Sequence, residues 1–223
     1  MEKYLIIAAG GRGKRMKSDY PKQFLRFGGY PIVYLSMKVF YEYDNNLKII
    51  LVLPDDMIRV WNDFLSESGI NIPHKVSEGG NTRIESCRNG MALVGDDGLV
   101  AVHDAVRPLV SHETIDRCFK MAMEKGNAVP VCNIYETLRK VSPGGSITID
   151  RSVIKSVQTP QVFQVKILKQ AFLEVKDDSF TDEASMVESI GYNINLVEGN
   201  RENIKITDPY DLKIAEFILK SLI

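Results

Sequence analysis

Short runs rich in isoleucine, valine and leucine recur along this chain, and most are followed by a stretch with helical spacing. The runs are residues 4–8 (YLIIA), 47–53 (LKIILVL), 99–103 (LVAVH), 128–132 (AVPVC) and 193–197 (NINLV). Runs this short and this branched fit strands buried on both faces of a mainly parallel sheet. The helical stretches are 31–41, 55–67, 82–94, 112–125 and 210–222. Pro31 suits a first helical turn, and Pro54 and the Gly79-Gly80 turn precede the next two. Ser111 is placed as an N-cap and Gly126 as a stop, while Asp208-Pro209 opens the last helix. Its apolar face would be Leu212, Ala215, Ile218, Leu219 and Leu222. The alternation predicts βαβ units in a doubly wound α/β fold, with ligands bound beyond the carboxyl ends of the strands.

With 223 residues, no internal repeat and no linker-like stretch, the chain reads as one domain over 1–223. One segment breaks the rhythm. Residues 136–141 and 147–150 are β-like and are joined by Ser142-Pro143-Gly144-Gly145-Ser146, a hairpin arm at about 134–152 inserted into the α/β pattern. Either it lies on the surface or it grips a second subunit.

The charge balance excludes several classes of partner. Lys plus Arg number 28 against 29 Asp plus Glu, so the chain lacks the broad positive field that duplex nucleic acid or an anionic membrane selects. No apolar run approaches the length of a membrane span, and residues 1–9 stop being hydrophobic too soon for a signal peptide. Cys87, Cys118 and Cys132 have no paired spacing, and His74, His103 and His112 are not placed as a metal pair. The expectation is a soluble, cytoplasmic protein whose chemistry does not run through a histidine-held metal.

The segment after the first strand is the richest in chemistry. Ala8-Ala9-Gly10-Gly11-Arg12-Gly13-Lys14-Arg15-Met16 is followed by Pro21-Lys22-Gln23. From Arg12 to Arg26 six cations face one acid, Asp19, so this window carries +5 on a chain of net −1. A local positive cluster on a nearly neutral protein is a focused anion site. Glycines at 10, 11 and 13 let backbone N–H groups turn toward an anion, and phosphate is the obvious guest at a strand's carboxyl end. Arg15 follows Lys14 where a Walker A loop needs Ser or Thr, and Met16 stands where the dinucleotide fingerprint needs its third glycine.

Taken together, eight segments resemble those of the 2-C-methyl-D-erythritol 4-phosphate cytidylyltransferase family. They are AAGGRGKRM (8–16), PKQF (21–24), GGNTRIES (79–86), VHDAVRP (102–108), DRS (150–152), QTPQVF (158–163), TDEAS (181–185) and EGNRENIKIT (198–207). The resemblance implies a Rossmann-like nucleotidyltransferase that joins CTP and methylerythritol phosphate into CDP-methylerythritol and pyrophosphate. The acceptor's phosphate is already the nucleophile. Catalysis would then consist of bringing two anions together and stabilising charge on the pentacoordinate phosphorus and the leaving pyrophosphate. The low count of His and Cys agrees with that.

Carried over residue by residue, the resemblance assigns Arg15 and Lys22 to the triphosphate's developing charge, and Arg151 and Lys205 to the acceptor's phosphate. Ala8, Ala9, Gly10, Gly11, Gly13 and Ala105 would bind CTP, with Gly80, Asn81 and Ser86 at the cytosine and nearby groups. Asp104 would meet substrate hydroxyls and help place a Mg²⁺ held mostly by phosphates, and Arg107 would line the same crevice, unless the two only pair to brace the turn. Thr159 and Thr181 match substrate-phosphate contacts, though Thr181 also reads as a plain N-cap. Arg151 and Thr159 follow the arm, and in the family they reach the neighbouring subunit's site, which implies a homodimer formed by arm exchange.

Three departures stand out: a loop one residue longer than the common form, Cys87 in place of a small aliphatic residue, and Val106 within HDAVRP. The first and third also occur in ribitol-5-phosphate cytidylyltransferases, so ribitol 5-phosphate is the alternative acceptor; TDEAS and NIKIT look more like the methylerythritol enzyme. A nicotinamide-dependent oxidoreductase is a remote alternative, with Asp55 as its acid but without the required glycine.

Overall fold

The structure, a computed structural model, describes residues 1–10, 21–177 and 179–222. Strand β1 (Lys3–Ala8) is followed, after a short turn at Lys22–Phe24, by a ribbon of β2 (Arg26–Phe27) and β3 (Tyr30–Pro31). Then come α1 (Ile32–Tyr43), β4 (Lys48–Leu53), α2 (Asp55–Ser68), β5 (His74–Glu78), α3 (Arg83–Met91), β6 (Leu99–Asp104), α4 (His112–Lys125) and β7 (Asn127–Asn133). The arm is β8 (Leu138–Ser142) and β9 (Gly145–Ile149); β10 (Lys155–Val157), β11 (Gln161–Gln164), α5 (Val165–Glu174), α6 (Glu183–Ser189), β12 (Leu196–Glu198) and α7 (Pro209–Leu222) complete it.

Alternation along the strands sorts side chains onto two faces, as the period-2 geometry of a strand requires. Leu5, Ile7, Ile49, Leu51 and Ala101 pack with Met37, Phe40, Trp61 and Phe119 from α1, α2 and α4. Tyr4, Ile6, Ile50, Val52 and Val100 pack with Ile84, Leu168 and Met186 from α3, α5 and α6. Helices thus cover both faces of the sheet. The helix ends follow the expected chemistry: Ser111 accepts from Thr114 N–H at the start of α4, and Gly126 closes it at φ +94°. Along α7, Leu212, Ala215, Ile218 and Leu219 pack against Phe27, Val106 and Ile206, while the side chain of Leu222 lies outside the described residues.

The sheet runs β10-β7-β11-β6-β1-β4-β5, with β12 also on β7. Strands β6, β1, β4 and β5 are mutually parallel. The other half is not: β11 lies antiparallel to both β6 and β7, and β10 antiparallel to β7. The edge strand β5 has no apolar run to announce it, because HKVSE is covered on fewer sides, and the central β11 has none because it is four residues long with a glutamine at each end. The strand expected over 193–197 is only Leu196–Glu198, since Asn195 N–H bonds the side chain of Asn127 instead.

The inserted hairpin is present and tighter than its sequence suggests. Leu138 pairs Ile149 and Ser142 pairs Gly145, leaving Pro143-Gly144 as the turn, with Gly145 at φ +143°. It projects from the body, and Val141 and Ile147 on it are 79% and 66% exposed.

Candidate functional site

The carboxyl ends of four neighbouring parallel strands open on one cleft of about 750 Å³. Ala8, Ala9 and Gly10 leave β1, Pro54 and Asp55 follow β4, Gly79 to Asn81 follow β5, and Asp104 to Val106 end β6. Backbone bonds tie these loops together: Ala9 N–H donates to Val52, Gly79 N–H to Leu53 and Ala105 N–H to Ala8. The Ala105 carbonyl accepts from Ser36 Oγ, so both backbone polar groups of Ala105 are taken.

Gly10 passes so close to α3 that a Cβ there would stand 2.7 Å from Ser86 Oγ. Ser86 Oγ itself accepts from Gly80 N–H and donates to the Thr82 carbonyl, which fixes the loop between β5 and α3. Thr82 caps α3 by accepting from Glu85 N–H, and Glu85 Oε2 reaches back to Asn81 N–H. Lys22 lines the cleft from the turn after the first loop. Its neighbours hold it there: Gln23 is buried and donates to the Ala9 carbonyl, and Phe24 packs edge-on against Trp61. Gly11, Gly13 and Arg15, with the other charged residues of that loop (Arg12, Lys14, Lys17 and Asp19), lie outside the described residues.

At the base of the cleft Asp104 gathers cations from three parts of the chain. Lys205 Nζ lies 3.0 Å and Arg107 Nε 3.1 Å from Oδ2, and Arg83 Nη2 lies 3.5 Å from Oδ1. Burial acts to raise the Asp104 carboxyl, but the charges of Arg83, Lys205 and Arg107 outweigh it and hold the group well below the usual carboxylate range. Arg107 also donates to the Asn203 carbonyl, so it sits behind Asp104 as a brace and does not line the cleft. Lys205 is not on a regular strand; Ile206 N–H donates to Val106, which holds the segment beside β6.

Of the remaining assigned residues, Thr159 is buried and its hydroxyl is occupied. It accepts from Asp104 N–H and donates to His103 Nδ1, whose Nε2–H donates to the Arg107 carbonyl. Burial lowers the His103 imidazole to about 4, so the ring is neutral and this tautomer is the one the carbonyl requires. Thr159 therefore braces the end of β6 within this chain. Thr181 is exposed and does not cap α6; Asp182 does, accepting from Ser185 N–H. Arg151 follows the arm, is exposed, and donates to the Tyr135 carbonyl, away from the cleft of its own chain.

Two residues in the quoted motifs have no role in the sequence reading. Arg83 lines the cleft beside Asp104 and pairs on its far side with Glu183, which is fully buried. The signal for Arg83 is its place as the first helical residue after a cap at a strand end; Glu183 carries none.

Chemically the cleft offers cations, backbone amides and one ionised carboxylate at its base. No cysteine or histidine lines it among the described residues, and its serine is committed to the loop. Such a site can hold and polarise anions, and among the described residues it carries no activated nucleophile.

The model of the family described as 2-C-methyl-D-erythritol 4-phosphate cytidylyltransferase (IspD) matches residues 4–221. Proteins of that name from Phocaeicola vulgatus and Bacteroides thetaiotaomicron are 47% and 48% identical over 219 residues, covering 98% of this chain and 100% of theirs. The crystal structure of the Thermus thermophilus protein of that name superposes with a TM-score of 0.78 at 29% identity, over 99% of this chain and 100% of that one. The Francisella tularensis structure gives 0.81 at 30% identity, over 97% and 99%. With the resemblance spanning the strand-end loops and the cationic cleft alike, this chain belongs to the 2-C-methyl-D-erythritol 4-phosphate cytidylyltransferase family.

Proposed function

We propose that this protein transfers the cytidylyl group of CTP to 2-C-methyl-D-erythritol 4-phosphate, releasing pyrophosphate in the non-mevalonate route to isoprenoid precursors. The observation that carries the reading is the convergence of Ala8 to Gly10, Gly80, Lys22, Asp104 and Lys205 on one cleft that has no activated nucleophile among the described residues, in a chain of this family.

The loop after β1 and the Gly79 to Ser86 turn receive the nucleotide, the glycines permitting close approach of its phosphates and base. Lys22 and Arg15 neutralise charge on the triphosphate as the bond to the leaving pyrophosphate lengthens. Lys205 and Arg151 hold the acceptor's phosphate for in-line attack, and Asp104 accepts hydrogen bonds from its hydroxyls. Asp104 is ionised throughout the working range and reaches the cleft, so it suits a hard cation as one ligand among phosphate oxygens and water. When bound, Mg²⁺ would draw charge from the phosphates.

The single chain leaves Arg151 outside its own cleft and Tyr135, Val141, Ile147 and Val153 exposed along the arm. Both features support a homodimer in which each arm completes the partner's site. Free cysteines at 87, 118 and 132 support a cytoplasmic location.

The deciding assay is pyrophosphate release with CTP and Mg²⁺ across methylerythritol phosphate, ribitol 5-phosphate and other polyol phosphates. Release with the first alone supports the reading; preference for ribitol 5-phosphate changes the acceptor, and release with none overturns the reaction. Mixing Arg15→Ala and Arg151→Ala chains, each inactive alone, is expected to restore activity if arms are exchanged. Failure to restore it would confine each site to one chain.

A further inference from the structure

Glu183 is a buried carboxylate at the first turn of α6 that does not line the cleft. Its Oε1 accepts from Arg83 Nη1, the buried Cys87 thiol stands beside the carboxylate, and its Oε2 has no well-formed hydrogen bond among the described residues. A carboxylate removed from water with so few strong donors around it opposes folding. Nor does Arg83 lack another counter-charge, because Asp104 stands on its cleft side.

The geometry around Asp104 suggests what Glu183 does. Among the described residues, Oδ2 carries both close cations, Lys205 at 3.0 Å and Arg107 at 3.1 Å, whereas Oδ1 has Arg83 alone at the longer distance of 3.5 Å. Arginine and carboxylate favour a close, two-pronged pairing. Arg83 is kept from that arrangement with Asp104 by the carboxylate on its other side. Without the Glu183 charge, the guanidinium would be drawn fully onto Asp104 and would occupy Oδ1.

We propose that Glu183 is a positioning residue for the acceptor half of the site: it holds Arg83 back from Asp104 and so leaves Oδ1 open to the hydroxyls of a polyol phosphate. This rests on the transfer reaction proposed above. Glu183 touches no substrate, and its effect falls on the acceptor and not on CTP. A purely structural tie between α6 and α3 would instead disturb both substrates together or neither.

Glu183→Gln keeps the side chain's size and removes its charge. The expected result is an acceptor KM raised about tenfold with the KM for CTP within about twofold and kcat little changed. Glu183→Asp keeps the charge but shortens its reach, so a smaller rise of about threefold is expected in the same direction. This second variant carries the test if the first does not fold. Adding Glu183→Gln to Asp104→Asn should raise the acceptor KM no further, because no negative charge remains at position 104 to draw Arg83 onto it. Wild-type acceptor KM in both Glu183 variants, parallel shifts for CTP and acceptor, or an additive double variant would overturn the inference while leaving the reaction standing. Absence of wild-type transfer to any polyol phosphate would overturn the reaction itself.

Discussion

Replacing Asp104 with asparagine removes the one charge that Arg83, Arg107 and Lys205 share, while leaving volume and shape almost unchanged. Losing one member of a buried ion pair costs about 3–5 kcal/mol, chiefly because the other charge is stranded. Here Lys205 has a 40% exposed side chain and regains water, and Arg83 keeps Glu183. Arg107, at 11%, is the cation left worst off. The discounted expectation is about 2–3 kcal/mol near neutral pH. For a chain of this size that is a fall of roughly 5–10 °C in Tm.

The pH dependence carries its own check. The folded Asp104 carboxyl lies well below its usual range, because nearby cations outweigh burial. Its contribution is therefore complete above the unfolded value of about 3.9 and drains away as pH falls below that toward the folded value. Urea unfolding of wild type and Asp104→Asn should show the same gap at pH 7 and pH 5, and a narrowing gap below about pH 4. A variant as stable as wild type at pH 7 would refute the reasoning, and so would a gap that stays constant down to pH 3.

His103 is lowered to about 4, so between its unfolded value of about 6.5 and that pH the unfolded chain takes up a proton the native one refuses. Wild-type stability should lose roughly 1.6 kcal/mol in all from this group on going from pH 6.5 to 5, and His103→Gln should flatten that fall in the same urea series. Gly10→Ala puts a Cβ 2.7 Å from Ser86 Oγ; a rise of about tenfold in the KM for CTP is expected, with the acceptor KM unmoved in steady-state assays. Lys22→Ala should lower kcat by about 10²–10³, the scale of one lost preorganised charge, in a pyrophosphate-release assay.

What could be read in the sequence, and what could not, divides along a physical line. Helix α4 was legible to the residue, because a serine cap and a left-handed glycine mark its ends with local chemistry. Buried parallel strands such as β4 announce themselves, since both faces must be apolar. Strand β11 did not: QVFQ is ordinary until it pairs with β6, and that pairing, Gln161 opposite Val102, is what brings Thr159 back to Asp104. The resemblance placed Thr159 on a phosphate, but only the register could reveal that its hydroxyl is already spoken for.

The same division explains the charges. A sequence window adds up charges, and the cluster from Arg12 to Arg26 was visible because its members are neighbours in the chain. The second cluster draws Arg83, Arg107 and Lys205 from three distant segments onto one carboxylate, so no window contains it. More importantly, adding charges cannot say which are cancelled. Arg83 faces Glu183 across a hundred positions of sequence, a pairing fixed by α3 and α6 sharing one apolar face through Ile84, Cys87, Ala184 and Val187. Hydrophobic packing thus decides which of the cations around Asp104 is also held by a buried partner. The electrostatics of this site is in that sense a consequence of the core beneath it, and a substitution at Ala184 or Val187 that shifts α6 should reach Asp104 without touching a charged residue.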